Sequence, residues 1–233
     1  MPITYVPSAW MTDVSRDAKS QHVITASEAA SLLFLPGAGG YAAMWQPVSD
    51  GLSQRGRRHF FTWPGFAGAP ADPRVRGISD LAERVAREIT GPVVLFAHSM
   101  GGLIAMRAAL AKPERVRAMV LAVTSGGVDV RALGAADWRP QFALNNPGAP
   151  RWFLEARDDL TEQLPRISAP VLLLWGDADP ISPVAVGRHL ANLLPHAELI
   201  VVPGGTHDLI VERAHDILPV IERHLQRALE PGR

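Results

Sequence analysis

The chain has 233 residues, 47% of them hydrophobic, and a chain of this length and composition can bury a sizeable core in one α/β domain. Its 23 basic and 23 acidic side chains balance, so no long-range field attracts phosphate backbones or anionic lipid, and we expect neither nucleic acid nor membrane as a partner. The absence of cysteine excludes disulfides, thiolate catalysis and cysteine-ligated metal sites.

The start of the chain, Met1 to Trp10, has neither a basic beginning nor a continuous apolar stretch, so we expect no signal peptide. No apolar run approaches the roughly 18 residues that span a bilayer. These two observations predict a cytoplasmic protein, and nothing in the sequence indicates its oligomeric state.

Short apolar runs alternate with longer amphipathic runs along the chain, which predicts a single α/β domain over residues 1–233 with a mostly parallel sheet and helices on both faces. Continuous apolar character is typical of strands buried on both faces. The predicted strands are 32–35, 59–62, 93–97, 118–123, 171–175 and 199–202, and the predicted helices are 43–54, 78–88, 100–111, 183–194 and 213–229.

One segment, from about residue 125 to residue 168, interrupts this alternation and is rich in proline and aromatic residues. A connection of this length usually has a function or structure of its own, and we expect two or three small helices in it. Because pockets are lined by apolar and aromatic groups, we expect its aromatic side chains to line a substrate pocket. Those residues are Trp138, Phe142, Trp152 and Phe153. The alternative is that the two tryptophans only anchor a surface loop to the body of the protein.

The run Ala97-His98-Ser99-Met100-Gly101 lies between an apolar run, 92–96, and a helix-forming run rich in small residues, 102–110. A buried strand that turns abruptly into a helix, with serine at the corner, is typical of a nucleophile elbow. This corner predicts a strained backbone at Ser99 and a hydroxyl raised out of the sheet, beside the helix N-terminus.

With this corner, the chain resembles the α/β-hydrolase superfamily, as an esterase-like member with a serine nucleophile and a short lid. Ala97 stands where the motif usually has glycine, and Pro36 where a histidine is common. The other matching motifs follow the family's order along the chain: Leu33 to Gly40 with Trp45, Trp63 to Gly68, Leu172 to Pro180, and Val202 to His207. The resemblance implies that segment 125–168 is a lid and that an antiparallel hairpin opens the chain, although residues 1–30 are short and polar for one.

A serine hydroxyl needs a general base within hydrogen-bond reach, and that base needs a third group to orient it. His207 follows a predicted strand in a Gly-Gly-Thr-His turn, at the same sheet edge as Ser99, and we interpret it as the base. His98 adjoins Ser99, but neighbouring side chains at a sharp turn point apart, and His22 and His59 have no matching context. The remaining histidines fall on helices or helix ends and are interpreted as surface residues: His189, His196, His215 and His224.

The acid is expected at the end of predicted strand 171–175, where Asp177 and Asp179 both occur. The family's Gly-x-x-Asp pattern implies Asp179, which the following proline restrains to extended backbone. Asp177 is the alternative, with capping of the turn as its other interpretation. Asp208 better fits the start of the next helix, and Asp129 matches the acid position of some hydrolases.

Two backbone amides are expected to bind the oxyanion that forms when a carbonyl is attacked. The logic of the elbow gives the N–H of Met100 as one donor. The family's oxyanion loop implies Ala38 as the other, with Gly37 next and also in the substrate pocket. We expect no metal or organic cofactor, because Asp and His occur singly at strand ends and the glycine-rich loop lacks nucleotide-binding patterns.

These residues predict a serine hydrolase that cleaves a small carboxylic ester, lactone or thioester through an acyl-enzyme, with a small-molecule ester as its partner. The resemblance leaves alternatives open. Carbon–carbon bond hydrolases and acyltransferases use the same triad, and a hydrolase scaffold can serve as a small-molecule receptor, because fold does not settle function.

Overall fold

The computed structural model of the protein describes residues 4–6, 29–39 and 41–230. Within them, seven strands form one sheet: β1 (Thr4–Val6), β2 (Ser31–Leu35), β3 (Arg58–Phe60), β4 (Val93–His98), β5 (Val116–Ala122), β6 (Val171–Gly176) and β7 (Ala197–Val202). The helices are α1 (Gln46–Gly51), α2 (Ile78–Glu88), α3 (Met100–Ala111), α4 (Arg139–Asn145), α5 (Arg151–Glu155), α6 (Val184–Leu193), α7 (Leu209–Glu212) and α8 (Ala214–Leu229), with 3-10 turns at Ala42–Trp45 and Leu164–Arg166.

The strands follow the order β1-β7-β6-β5-β4-β2-β3. Strands β2 to β7 run parallel to one another. Strand β1 pairs antiparallel with β7, with Tyr5 opposite Ile200. Strands β4 and β6 are buried at every position, because helices pack around the sheet. The predicted fold class, a mostly parallel α/β sheet with surrounding helices, is confirmed.

The adjacent strands β2 and β4 connect to opposite sides of the sheet. The chain leaves β2 towards β3 at one edge, and leaves β4 in the other direction, towards β5. In parallel sheets the carboxyl ends of the strands beside such a point open a crevice where ligands bind. Ser99 directly follows β4, and Asp179 and His207 follow β6 and β7 on the same edge. The topology therefore gathers three residues that are far apart in the sequence.

The helix predicted over residues 43–54 is wrong in its extent. The chain makes a 3-10 turn first, and α1 then ends at Gly51, because Leu52 has extended backbone with φ −73° and ψ 134°. Gly51 packs closely on α8, where an added Cβ would lie 2.2 Å from a methyl carbon of Leu218. The predicted helices 78–88 and 100–111 coincide with α2 and α3.

The hairpin implied for residues 1–30 falls mostly outside the described residues, and β1 is the strand observed within that stretch. The interrupting segment contains α4, α5 and the second 3-10 turn, in line with the small helices expected there. In the part of the chain that the structure describes, no helix has both the length and the apolar character needed to cross a bilayer.

Candidate active site

Ser99 is the corner between β4 and α3, and its backbone is strained. Its φ of 51° and ψ of −120° lie in a region that residues with a Cβ rarely occupy. The corner is held on both sides, since Ser99 N–H donates to Ala122 O at 3.0 Å and Ser99 O accepts from Gly102 N–H at 3.0 Å. The strain predicted from the sequence is therefore present, and Ala97 is accommodated fully buried in β4.

The side chains of Ser99, His207 and Asp179 form a continuous hydrogen-bonded chain. His207 Nε2 lies 3.0 Å from Ser99 Oγ, and His207 Nδ1 lies 2.7 Å from Asp179 Oδ2. Because a carboxylate only accepts, Nδ1 carries the hydrogen and Nε2 is left to accept from the serine hydroxyl. The Asp179 side chain is fully buried, and its Oδ1 accepts from Ile181 N–H at 2.8 Å, so its orientation is fixed.

The other candidate acids lie elsewhere. Asp177 is exposed, and its Oδ1 accepts from Gly204 N–H at 2.6 Å, which fastens the turn before His207. Asp208 is the N-terminal flanking residue of α7. Asp129 is exposed and accepts from Arg131 N–H at 3.1 Å within its own turn. Of these aspartates, Asp179 is the one that contacts His207.

The end of β6 and the loop that carries His207 touch through two glycines. A Cβ added to Gly176 would lie 2.0 Å from the carbonyl oxygen of Gly205, so no larger residue fits there. Ala178 N–H donates to that same oxygen at 3.0 Å. This contact sets the spacing between the strand that precedes Asp179 and the loop that precedes His207.

Two buried tryptophans hold the loop after β2, which contains the predicted oxyanion residues. Trp45 Nε1 donates to Leu35 O at 3.3 Å, and Trp63 Nε1 donates to Pro36 O at 2.8 Å. Gly101 of α3 lies against the same carbonyls, because a Cβ there would be 2.4 Å from Leu35 O. The backbone leading into this loop is therefore fixed beside the start of α3.

Ala38 and Met100, the predicted oxyanion donors, are both buried at this edge. Met100 is the first residue of α3, so no carbonyl of the helix accepts from its amide. Gly37 lies next to the serine, since an added Cβ would be 3.0 Å from Ser99 Cβ. Gly40, the last residue of the predicted loop, is outside the described residues.

His98 has a role in this site that the sequence did not indicate. Its ring centroid lies 5.0 Å from that of His207, and its Nε2 lies 2.7 Å from the backbone oxygen of His207. Burial lowers the pKa of His98 to about 3, and repulsion from His207 adds to this effect. A hydrogen bond from a ring nitrogen to a distant backbone oxygen has no sequence pattern that could have revealed it.

Thr124, two residues beyond β5, is a second buried contact that the sequence did not indicate. Its Oγ1 donates to Ser99 O at 2.6 Å and accepts from Gly126 N–H at 3.0 Å. Its own carbonyl accepts from Ser182 Oγ at 3.2 Å, three residues after Asp179. Thr124 thus connects the corner at Ser99 to the loop that carries Asp179.

The four aromatic residues predicted to line a pocket pack on one another. Phe153 is at the centre, with ring centroids 5.0 Å from Trp138, 5.3 Å from Phe142 and 6.2 Å from Trp152. Phe66, in the loop after β3, lies 5.3 Å from Phe153 and joins the segment to the body of the protein. These contacts agree with the interpretation that the tryptophans anchor the segment to the body of the protein. That the same side chains line a substrate pocket stays a prediction.

The interpretation of His224 as a surface residue is wrong. His224 is only 4% exposed, because α8 presents it to the sheet together with Ile217, Ile221 and Leu225. His196 and His215 are exposed as predicted, and His189 is half-buried. Burial lowers the pKa of His224 to about 4, and Arg227 adds to this effect.

Among the described residues, no three His, Asp or Glu side chains come together in a way that could hold a metal ion. The candidate site consists instead of a hydroxyl, an imidazole and a carboxylate in line, beside backbone amides at the start of a helix. Such an arrangement can raise the nucleophilicity of the hydroxyl and stabilise negative charge on an attacked carbonyl oxygen.

The sequence model of the alpha/beta hydrolase family matches residues 32–166, more than half of the chain. A second model, described as serine aminopeptidase S33, matches residues 145–214. The first match includes Ser99, and the second includes Asp179 and His207.

Two curated relatives, from Nitrosomonas europaea and Chromobacterium violaceum, are named pimeloyl-[acyl-carrier protein] methyl ester esterase. Each is 25% identical to this chain. The match to the Nitrosomonas protein covers 81% of this chain and 92% of the relative, and the match to the Chromobacterium protein covers 88% and 97%.

Solved structures of hydrolases share the fold. An esterase from Thermogutta terrifontis with malate bound has a TM-score of 0.70 at 22% identity, with 86% of this chain and 91% of that chain covered. A meta-cleavage product hydrolase from Pseudomonas fluorescens has a TM-score of 0.69 at 18% identity, with 86% and 92% covered. From the match over more than half of its length and its esterase relatives, the chain belongs to the alpha/beta hydrolase family and is a hydrolase of the carboxylesterase type.

Proposed function

We propose that the protein hydrolyses a small carboxylic ester by acyl transfer through Ser99, His207 and Asp179. The observation that carries this proposal is the unbroken hydrogen-bonded chain from the Ser99 hydroxyl to the buried carboxylate, with separations of 3.0 Å and 2.7 Å. Both separations lie within the range over which a proton can be passed during attack. These separations support a role for the three side chains in catalysis.

In the first half of the reaction, Ser99 Oγ bonds to the carbonyl carbon while His207 Nε2 takes the hydroxyl proton. Asp179 accepts from Nδ1–H and stabilises the imidazolium that forms. When the tetrahedral intermediate collapses, the bond to the alkoxy oxygen breaks and His207 returns the proton to the departing alcohol. In the second half, His207 takes a proton from a water that attacks the acyl carbon. The bond to Ser99 Oγ then breaks, His207 returns the proton to Oγ, and the carboxylic acid is released.

The amides of Ala38 and Met100 are the proposed donors to the oxyanion. Support comes from the free first amide of α3 and from the tryptophan hydrogen bonds that fix the loop before Ala38. Donors that are already in place stabilise the developing charge without reorganising, and losing one can lower kcat by about 10²–10³-fold.

Segment 125–168 is the proposed lid, and its aromatic cluster together with Gly37 is the proposed lining of the substrate pocket. Ala136 N–H donates to Pro180 O at 2.8 Å, which fastens the segment to the loop after β6, and Leu160 N–H donates to Gly127 O at 2.7 Å within the segment itself. The first of these bonds reaches the residue directly after Asp179. This attachment next to Asp179 supports the assignment of the segment as a lid.

A methyl ester, or an ester of another small alcohol, is the proposed substrate class. The two relatives described above are named as methyl ester esterases, which favours a small leaving alcohol. Lactones and thioesters need no further catalytic group, so they are the competing substrates. Carbon–carbon bond cleavage and transfer to an acceptor other than water are the competing reactions.

Treatment with a fluorophosphonate followed by peptide mass spectrometry tests the nucleophile, and turnover of matched substrates tests the reaction. We expect a single adduct on Ser99 and faster release of methanol from a methyl ester than of product from the thioester or lactone of the same acyl length. Ser99→Ala should abolish both the adduct and turnover, with a loss of at least about 10⁴-fold in kcat.

Asp177→Asn is the matched control for Asp179→Asn, because both aspartates follow β6 and only Asp179 contacts His207. The Asp179 variant should lose about 10²–10⁴-fold in kcat, whereas the Asp177 variant should stay within about tenfold of the parent. An unlabelled Ser99, or equal losses in the two aspartate variants, would contradict the proposed triad.

A further inference from the structure

We propose that His98 is a positioning residue which holds two parts of the catalytic site with one ring: the backbone of His207 through Nε2, and the oxyanion loop at Gly37 through the ring edge at Nδ1. This inference rests on the proposed function, because it assigns a task within the same site. It goes beyond the triad, since the hydrogen-bond partner of His98 is the backbone oxygen of His207 and not a reacting side chain.

The hydrogen bond to His207 fixes the tautomer of His98. The backbone oxygen of His207 only accepts, so the nitrogen 2.7 Å away, Nε2, must carry the hydrogen. The donor belongs to the last residue of β4, a fully buried strand, while the acceptor belongs to the loop after β7. The bond therefore ties the loop that carries His207 directly to β4, the strand that precedes Ser99.

The Nδ1–Cε1 edge of the ring, together with Ser99 Cβ, limits which residue can follow Pro36. A Cβ at position 37 would lie 2.8 Å from His98 Nδ1, closer than Cβ atoms come to other atoms, and 3.2 Å from Cε1, a tight contact. The imidazole thus occupies the space that a side chain at position 37 would need. Glycine at 37 and histidine at 98 form a matched pair that sets how closely the oxyanion loop approaches Ser99.

His98 carries out this task as a neutral group. The ring is only 4% exposed, and Nδ1 is buried without a hydrogen-bond partner among the described residues. Burial, the larger effect, and the neighbouring His207 lower the pKa of His98 to about 3. A neutral ring next to His207 does not repel the imidazolium that forms during attack, whereas a lysine or arginine at this position would.

The experiment compares His98→Leu, which removes the donor, with His98→Gln, which keeps an N–H at similar reach. We expect His98→Leu to lower kcat on a methyl ester and the rate of fluorophosphonate labelling by about 10–100-fold with KM within about threefold, because small displacements of catalytic groups are costly. His98→Gln should recover most of this loss. Hydrogen exchange of residues 203–208 should rise in the leucine variant and return towards the parent value in the glutamine variant.

His224→Leu is the matched control, because His224 is equally buried, at 4% exposed, and lies on α8 away from the site. It should lower the melting temperature without changing kcat or exchange in the 203–208 loop. A further pair, Gly37→Ala in the parent and in His98→Ala, tests the contact at Nδ1. The loss caused by Gly37→Ala should be smaller once the imidazole is gone.

Leucine and glutamine variants that match the parent in both kcat and loop exchange would overturn the proposal, as would equal losses from Gly37→Ala in the two backgrounds. If His98→Leu does not fold, His98→Gln and the comparison of Gly37→Ala in the parent and in His98→Ala still test the proposal. A parent that turns over no ester would contradict the proposed function instead, and the exchange measurements would still test whether His98 holds the loop.

Discussion

Trp63 shows how a single side chain can fix the backbone of the loop that, in the proposed mechanism, binds the oxyanion. It is 2% exposed, and its indole N–H donates to Pro36 O at 2.8 Å, two residues before Ala38. A carbonyl held in this way cannot swing towards the substrate, where it would repel an oxyanion. In the proposed mechanism the side chain therefore acts on catalysis through the loop.

Trp63→Phe should lower kcat by about 3–10-fold with little change in KM, and lower the free energy of unfolding by about 1–3 kcal/mol, because a buried carbonyl loses its donor. Steady-state kinetics and urea denaturation measure the two effects. Trp175→Phe is the control: this tryptophan is fully buried in β6, and its N–H has no partner among the described residues. An equal loss of kcat in both variants would show that packing alone matters.

At this scale, motifs identified the residues that the structure brings together, Ser99, His207 and Asp179. Their side chains follow strand ends in a recognisable order, and that order is visible in the sequence. His98 and Thr124 were not identified, because their partners are backbone oxygens more than 20 residues away. His224 could have been identified, since it continues the apolar face formed by Ile217 and Ile221 at helical spacing.

Among the elements, the short loop after β5 stores strain close to the site. Val123 has a φ of 42°, which is unfavourable for a β-branched residue, and the next residue, Thr124, is fully buried. Gly102 of α3 leaves the space for this threonine, because a Cβ there would lie 2.3 Å from Thr124 Oγ1. The loop therefore supports the first turn of α3, where the nucleophile and one oxyanion donor lie in the proposed mechanism.

Thr124→Val keeps the shape of the side chain but removes its hydroxyl, so Gly126 N–H loses its acceptor and Ser99 O loses one donor. We expect unfolding free energy to fall by about 2–4 kcal/mol and kcat to fall by about tenfold, because two buried hydrogen bonds are lost. Thr124→Ser keeps both bonds and should cost about 1 kcal/mol for the missing methyl group. If chemical denaturation shows Thr124→Val to be more stable than Thr124→Ser, the stabilising role of the two hydroxyl hydrogen bonds is contradicted.

Strands and helices were predictable wherever hydrophobic periodicity was strong, as in α2 and α3. The end of α1 was missed although Gly51 marks it, because the preceding pattern continued past the glycine. The pairing of β1 with β7 joins residues nearly 200 positions apart, and no local pattern in so short a strand reports its neighbour.

Over the whole molecule, the two histidines that are buried among the described residues link stability to pH. The pKa of His224 is about 4 in the folded protein, against 6.5 for the ordinary group. Between these values the unfolded chain binds a proton that the folded protein does not, so stability is complete above about pH 6.5 and falls as the pH drops towards 4. His98, with a pKa of about 3, acts in the same direction and extends the loss to lower pH.

His224→Leu should be less stable than the parent at pH 7.5, because the leucine cannot donate to the backbone of Met119 as His224 does. This deficit should narrow by about 3 kcal/mol as the pH falls to 4, since the leucine has no proton to bind. Denaturation curves at several pH values measure the gap. His215→Gln, an exposed position on the same helix, is the control, and a gap for His224→Leu that stays constant with pH would refute the linkage.

The contact between Gly176 and Gly205 has a consequence for protein engineering. Because the two backbones meet with no room for a side chain, the acid-bearing strand and the histidine loop can be exchanged with those of a related hydrolase only as a pair. A transplanted loop that arrives without its matching glycine would push the imidazole away from the hydroxyl. Chimeras in this family should therefore be cut before β6 and after the histidine, never between them.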